Sequence, residues 1–157
     1  MDSDNGLTKF GKKLIPYYQE MGMIVDVSHS AEKTFNDILS HGVKPVIASH
    51  SNVHKICSHP RNLKDTQIKR ISENGGVIGI NFFPNFLCNN GKAKRFDIIE
   101  HINYITGKFG IDCVGFGSDF DGIHKTPDGL HGADHYQLLI KDLKTVYTGA
   151  LEQAIGS

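Results

Sequence analysis

The sequence predicts an α/β fold of parallel βα units with about four strands. Three observations carry this reading. Short, nearly continuous apolar runs alternate with longer segments whose apolar residues recur at helical spacing. Glycine, 17 of 157 residues, stands at the junctions, and polar residues sit at the ends of the apolar runs. Strands that are apolar on both faces and separated by helices belong to a parallel sheet covered on both sides. Right-handed crossovers make that sheet either doubly wound or part of a barrel.

Taken in order, Phe10, Leu14, Tyr17 and Met21 form one stripe of a helix between Gly6 and Gly22. Residues 23–27 form the first strand, and Ser28, His29 and Ser30 lead into a helix that carries Phe35, Ile38 and Leu39 and stops at Gly42. Pro45 opens the second strand, residues 46–49, with His50 at its end. Residues 51–61 are polar and carry the His59-Pro60 break, so they read as loop before a helix at about 64–73, which Gly75 and Gly76 stop. Residues 77–82 are the third strand and 85–92 a loop. Ile98, Ile102, Ile105 and Phe109 mark a helix that Gly110 caps. Residues 113–118 are the fourth strand, a glycine-rich loop runs to Asp134, and Leu139, Leu143, Val146 and Ala150 mark the last helix.

The length suits one domain or a piece of one, and falls short of the ~250 residues usual for a closed (β/α)8 barrel. Seventeen Lys and Arg balance seventeen Asp and Glu, so no net field favours nucleic acid or an anionic membrane. No apolar run reaches the ~18 residues of a spanning helix, and residues 1–14 lack the apolar stretch of a signal peptide. Three cysteines, Cys57, Cys88 and Cys113, are odd in number and form no C-x-x-C pair, which fits free thiols in a reducing, cytoplasmic setting.

One-segment catalytic signatures are absent. H-E-x-x-H and the phosphate-binding G-x-x-x-x-G-K-S/T do not occur, and Phe120 stands where a dinucleotide loop needs its third glycine. Ser118 is flanked by Phe116 and Phe120 rather than by the glycines of a nucleophile elbow. Asp119 and Asp121 lack the glycine and twelfth-position glutamate of a calcium loop. In a parallel sheet, ligands sit at the carboxyl ends of the strands, and those ends carry His29, His50, Asn81 and Asp119. Two imidazoles on adjacent strands can reach one point above the sheet and suit zinc, with Asp119 the nearest carboxylate by topology. Spacing alone equally allows capping or core roles for both histidines. Arg61, beyond the second strand, can clamp a carboxylate with two parallel hydrogen bonds or lie solvated at the surface. His54, His59, His124, His131 and His135 read as solvated, with His59 the one placed to line the site.

Five blocks in order, GMIVDVSHS (22–30), KPVIASHSN (44–52), HPRNL (59–63), NGGVIGINF (74–82) and GSDFDG (117–122), resemble the membrane dipeptidase (renal dipeptidase) family of zinc metallopeptidases. The resemblance runs from about Gly6 to Leu143 and corresponds to the carboxyl-terminal half of a family member. It implies the second half of a (β/α)8 TIM-type barrel and a two-zinc centre that hydrolyses dipeptides through a metal-bridged hydroxide. Residue by residue, it implies that His29 and His50 ligate one zinc and that Arg61 binds the substrate's terminal carboxylate. Asp119 is implied to contact the amino end and to pass a proton to the leaving amine.

The first-strand H-x-D pair, the bridging glutamate and a further histidine of the family have no counterpart here. The expectation is therefore a single partial domain, 1–157, with a divergent tail at 144–157. It holds at most one partial set of zinc ligands, is inactive alone, and self-associates or pairs with the missing amino-terminal half. The alternatives are a non-catalytic module that binds metal or a partner, and another amidohydrolase-type metal-dependent amide hydrolase.

Overall fold

The structure, a computed structural model, describes residues 5–155, with side chains of the last helix described to Thr148. The element order is α1 (Lys9–Glu20), β1 (Val25–Asp26), α2 (Glu32–Ser40), β2 (Val46–Ile47), α3 (Asp65–Glu73), β3 (Ile78–Ile80), α4 (Pro84–Leu87), α5 (Arg95–Phe109), β4 (Val114–Phe116) and α6 (Tyr136–Ile155). The chain is thus α/β, with short parallel strands and helices between them. Residues 1–4, the start of the segment read for a signal peptide, and 156–157, the end of the expected tail, lie outside the described residues. Among the described residues no helix is long and apolar enough to cross a membrane.

Strand β1 pairs in parallel with β2, and β3 with β4 in the register Ile78↔Val114, Gly79↔Gly115 and Ile80↔Phe116. A parallel bridge between Ala48 and Ile78 joins the two pairs. Ala48 N donates to Val77 O at 3.0 Å and Gly79 N to Ala48 O at 2.8 Å, so the four strands lie side by side in chain order. Each strand is shorter than its apolar run predicts, and at β2 amides at and beyond the strand ends donate to side chains instead of to the ladder. Val46 N donates to Asn74 Oδ1 (2.6 Å) and Ser49 N to Asp26 Oδ1 (3.1 Å).

The core lies between this sheet and the helices. Val46, Ala48, Ile78 and Ile80 are fully buried against Phe35 and Ile38 of α2, Ile68 and Ile71 of α3, and Ile98 and Ile105 of α5. Removing each of the valine, isoleucine and phenylalanine side chains from water contributes about 1.5–3 kcal/mol. Two expectations need correction. In α1 the stripe predicted from spacing exists, but Phe10, Tyr17 and Met21 are exposed and Ile15 is the buried residue. Spacing locates a helix without saying which of its apolar residues meets the core. The first three residues of 85–92, read as loop, are helical: α4 begins at Pro84, whose fixed φ suits the first helical position, and runs to Leu87.

Close approach of backbones governs the upper end of the sheet. A Cβ on either Gly79 or Gly117 would collide with the carbonyl oxygen of Ser49, so strands β2, β3 and β4 converge there with no side chain between them. Ser49 is thereby pinned one residue before His50.

Candidate active site

Just beyond the strand ends the chain adopts left-handed backbone at two residues other than glycine, His29 (φ 68°) and Asp119 (φ 61°). Such geometry is uncommon outside glycine, with His and Asp among the residues enriched there, and it gathers at functional sites. Both residues were read from the sequence as rim positions, and both turns aim side chains over the sheet.

His29 Nε2 and His50 Nε2 approach to 2.9 Å, with ring centroids 5.0 Å apart. The proton on His50 is assigned by its neighbours. Ser49 Oγ lies 2.8 Å from His50 Nδ1 and donates its own hydrogen to Asp26 Oδ2. It therefore accepts from Nδ1–H and leaves the lone pair of Nε2 facing His29. Burial raises the Asp26 carboxyl, but hydrogen bonds from the Ser49 hydroxyl and from the Ser28 and Ser49 amides outweigh it and hold the pKa below its ordinary value. The charged end of this relay is thus an anion. Burial, followed by the charges of Arg61 and His50, lowers the pKa of His29 against opposing pulls from Asp119 and Asp26.

Two converging imidazoles of this kind fit half of a zinc shell. Bonds of ~2.05 Å in a tetrahedral shell set ligand nitrogens ~3.3 Å apart, so roughly 0.4 Å of opening admits an ion. A hydroxyl and carboxylate behind a ligating histidine are the outer support such ligands use. Among the described residues, no group of three or more His, Cys, Asp or Glu could hold a metal ion.

A cavity of about 170 Å³ adjoins the pair, lined by His29, Arg61, Phe83, Phe86, Asp119 and His124 among others. All the site residues expected from sequence except His50 face this one space, and His50 touches it through His29. Arg61 is half-buried, and its Cζ lies 5.7 Å from the centre of the Phe86 ring. Among the described residues no hydrogen bond or ion pair engages its guanidinium. Asp119 Oδ2 accepts from Asn81 Nδ2 at 3.0 Å. Asn81 is fully buried and locked in turn: its amide donates to Asn52 Oδ1, its carbonyl accepts from Asn52 Nδ2, and its Oδ1 accepts from Phe83 N.

The remaining histidines divide. His124 is exposed and lines the cavity, whereas His59 is half-buried and stacks behind Phe86, with centroids 4.5 Å apart. His54 lines a neighbouring cavity of about 430 Å³ with Arg61 and His29. His131 and His135 pair with each other away from the site. His101, which the sequence left without a role, is fully buried in α5. The sequence also left Asp26, Phe83 and Phe86 unassigned. An acidic residue inside the apolar run GMIVDV was the one available signal.

Residues 1–155 match the family described as membrane dipeptidase, peptidase family M19. An uncharacterised protein from the pqqA 5′ region of Klebsiella pneumoniae is 41% identical over 147 residues, covering 91% of this chain and 54% of that protein. An uncharacterised dipeptidase of Schizosaccharomyces pombe is 39% identical over 139 residues, covering 87% of this chain and 33% of that one. A metallopeptidase from Rhodobacter sphaeroides, solved with a phosphinate mimic of the dipeptide L-Ala-D-Ala, superposes with a TM-score of 0.84 at 32% identity. The match takes in 89% of this chain and 41% of that one. The chain spans about half or less of the length of these relatives. Motif order, fold and sequence identity converge on one lineage, and the chain belongs to the membrane dipeptidase family, peptidase family M19.

Proposed function

We propose that the chain contributes the carboxyl-terminal half of a (β/α)8 barrel and, with it, one side of the active site of a zinc-dependent dipeptidase. The observation that carries this reading is the meeting of His29, Arg61 and Asp119 around one cavity, with His50 Nε2 2.9 Å from His29 Nε2. His29 and His50 would hold one zinc ion. The chemistry zinc supplies when bound is Lewis acidity toward the scissile carbonyl and the attacking water.

The chain's own residues do the rest. The Arg61 guanidinium, unengaged by hydrogen bonds among the described residues, holds the dipeptide's terminal carboxylate in a bidentate clamp. Asp119, oriented by Asn81, holds the amino end and carries a proton to the leaving amine. The Asp26–Ser49 relay keeps His50 in the tautomer that presents Nε2. Phe83 and Phe86 keep water from one wall.

Because the described residues offer two metal ligands rather than three or more, the isolated chain is read as binding without efficient turnover. The test measures zinc per chain and dipeptide hydrolysis for the 157-residue chain, for a full-length version, and for His29→Ala and His50→Ala in that version. Each substitution is expected to lose zinc and to reduce turnover by orders of magnitude. Unchanged zinc stoichiometry in both would remove the metal assignment, and rapid hydrolysis by the monomeric 157-residue chain would remove the half-site reading.

A further inference from the structure

Three rings of a continuous row of four, Phe86, Phe83 and His124, wall the cavity between Arg61 and Asp119, and the fourth, His59, backs Phe86. His59 stacks on Phe86 with centroids 4.5 Å apart, Phe86 meets Phe83 edge to face at 4.9 Å, and Phe83 meets His124 at 5.2 Å. The row starts beneath the Arg61 guanidinium, over the Phe86 ring, and ends at the turn carrying Gly122 and Ile123 next to Asp119.

Phe83 and Phe86 are half-buried and belong neither to the buried core nor to the shell packed on it. They face the cavity instead, held from behind. Asn62 Nδ2 donates to Phe86 O and Phe83 N donates to Asn81 Oδ1, so the backbone that presents both rings is tied to buried amides. Two phenylalanines fixed this way but left half-open have apolar surface to offer a ligand. Burial and the charge of Arg61 lower the pKa of His59, which keeps that end of the row uncharged at neutral pH.

We propose that this row reads the side chain of the dipeptide's carboxyl-terminal residue, and that the site selects dipeptides in which that residue is apolar, branched or aromatic. The inference rests on the reading of Arg61 as the carboxylate clamp. A carboxylate held by that guanidinium leaves its own Cα one bond away, and the side chain on that carbon falls onto Phe86 and Phe83. An amide or hydroxyl there gives up its water without a partner, whereas an isosteric hydrocarbon does not. Phe83 and Phe86 are then specificity-determining residues, and Arg61 binds every dipeptide alike.

The experiment titrates the 157-residue chain, ring-labelled at phenylalanine, with Gly-Leu, its near-isostere Gly-Asn, and Gly-Leu carboxamide, following the ring resonances by NMR. Gly-Leu should bind about tenfold more tightly than Gly-Asn and shift the resonances of Phe83 and Phe86. Phe86→Ala and Phe83→Ala should bring that ratio to within about threefold. Phe86→Leu, which keeps an apolar wall, should retain most of it. Arg61→Lys should weaken both acids together and leave the ratio intact. Carboxylate-dependent binding with equal affinities, or a ratio indifferent to the ring variants, overturns the inference while leaving the dipeptide reading in place. No dipeptide binding at all, or a carboxamide that binds as well as the acid, overturns the reading of Arg61 and the inference with it.

Discussion

His50 enters the site with its proton already assigned, because Ser49 Oγ can accept from Nδ1 only by giving its own hydrogen to Asp26. Ser49→Ala removes that constraint without touching Nε2, the nitrogen proposed to hold zinc. Zinc affinity, read by competition with a chromophoric chelator, should fall roughly 10–100-fold, less than for His50→Ala. Equal affinity for wild type and Ser49→Ala would mean that the relay does not support the metal. Arg61→Lys in a full-length version should chiefly raise KM for dipeptides, since a point charge replaces a planar fork. A collapse of kcat with KM unaltered would assign Arg61 another role. The four residues nearest the proposed chemistry could be picked out from sequence because each lies in a short motif, His29, His50 and Asp119 just after a strand and Arg61 in the HPRNL run of the loop beyond β2. Asp26 and Asn81 acquire their roles through contacts such as Asp26–Ser49 and Asn81–Asp119, between residues 23 and 38 positions apart. No local pattern encodes those.

At the scale of elements, α5 is tied to the loop after β2 by one buried imidazole. His101 Nδ1 accepts from Val53 N at 3.0 Å and Nε2 donates to Leu87 O at 3.0 Å, an arrangement that only the neutral ring can make. Burial accordingly lowers its pKa to about 4 from an ordinary 6.5, against weaker opposing pulls from the Leu87 carbonyl and Asp97. The unfolded chain takes up this proton below pH 6.5 while the folded chain resists it down to about pH 4. The stability it contributes is complete above 6.5, declines through that window by at most about 1.4 kcal/mol per pH unit, and falls no further below it. Urea midpoints measured from pH 7.5 to 4 should show this slope, and His101→Gln, which can also accept and donate, should flatten it. An undiminished slope in that variant would place the acid sensitivity elsewhere. Periodicity revealed α5 through Ile98, Ile102 and Ile105, and His101, three residues after Ile98 and four before Ile105, lies on that same buried face, but spacing alone could not name Val53 and Leu87 as its partners. Similarly, the spacing of Phe10, Tyr17 and Met21 was legible while their outward direction was not, since direction depends on what packs beside α1.

For the molecule as a whole, the sheet ends in two edge strands, β1 and β4, each paired on one side only among the described residues, and apolar surface collects beside each. Tyr17, Met21, Met23 and Ile24 are exposed near β1, and Ile111, Phe116 and Tyr147 near β4. Open edges flanked by apolar side chains invite pairing. The 157-residue chain should therefore migrate above its monomer mass in sedimentation at micromolar concentration, and a separately produced amino-terminal half should shift it to a one-to-one complex with some hydrolytic activity. A strictly monomeric species indifferent to that half would argue against the half-barrel. The convergence of Gly79 and Gly117 on the Ser49 carbonyl bears on how substitution maps of this chain are interpreted. At those two positions the tolerated alphabet shrinks to a single letter for reasons of space, and a library scored on catalysis alone would flag them as strongly as His29 or Arg61. Scoring the same library for soluble abundance separates the two kinds of intolerance: the glycine variants vanish from the cell, whereas the variants of the site accumulate as well-made but silent protein.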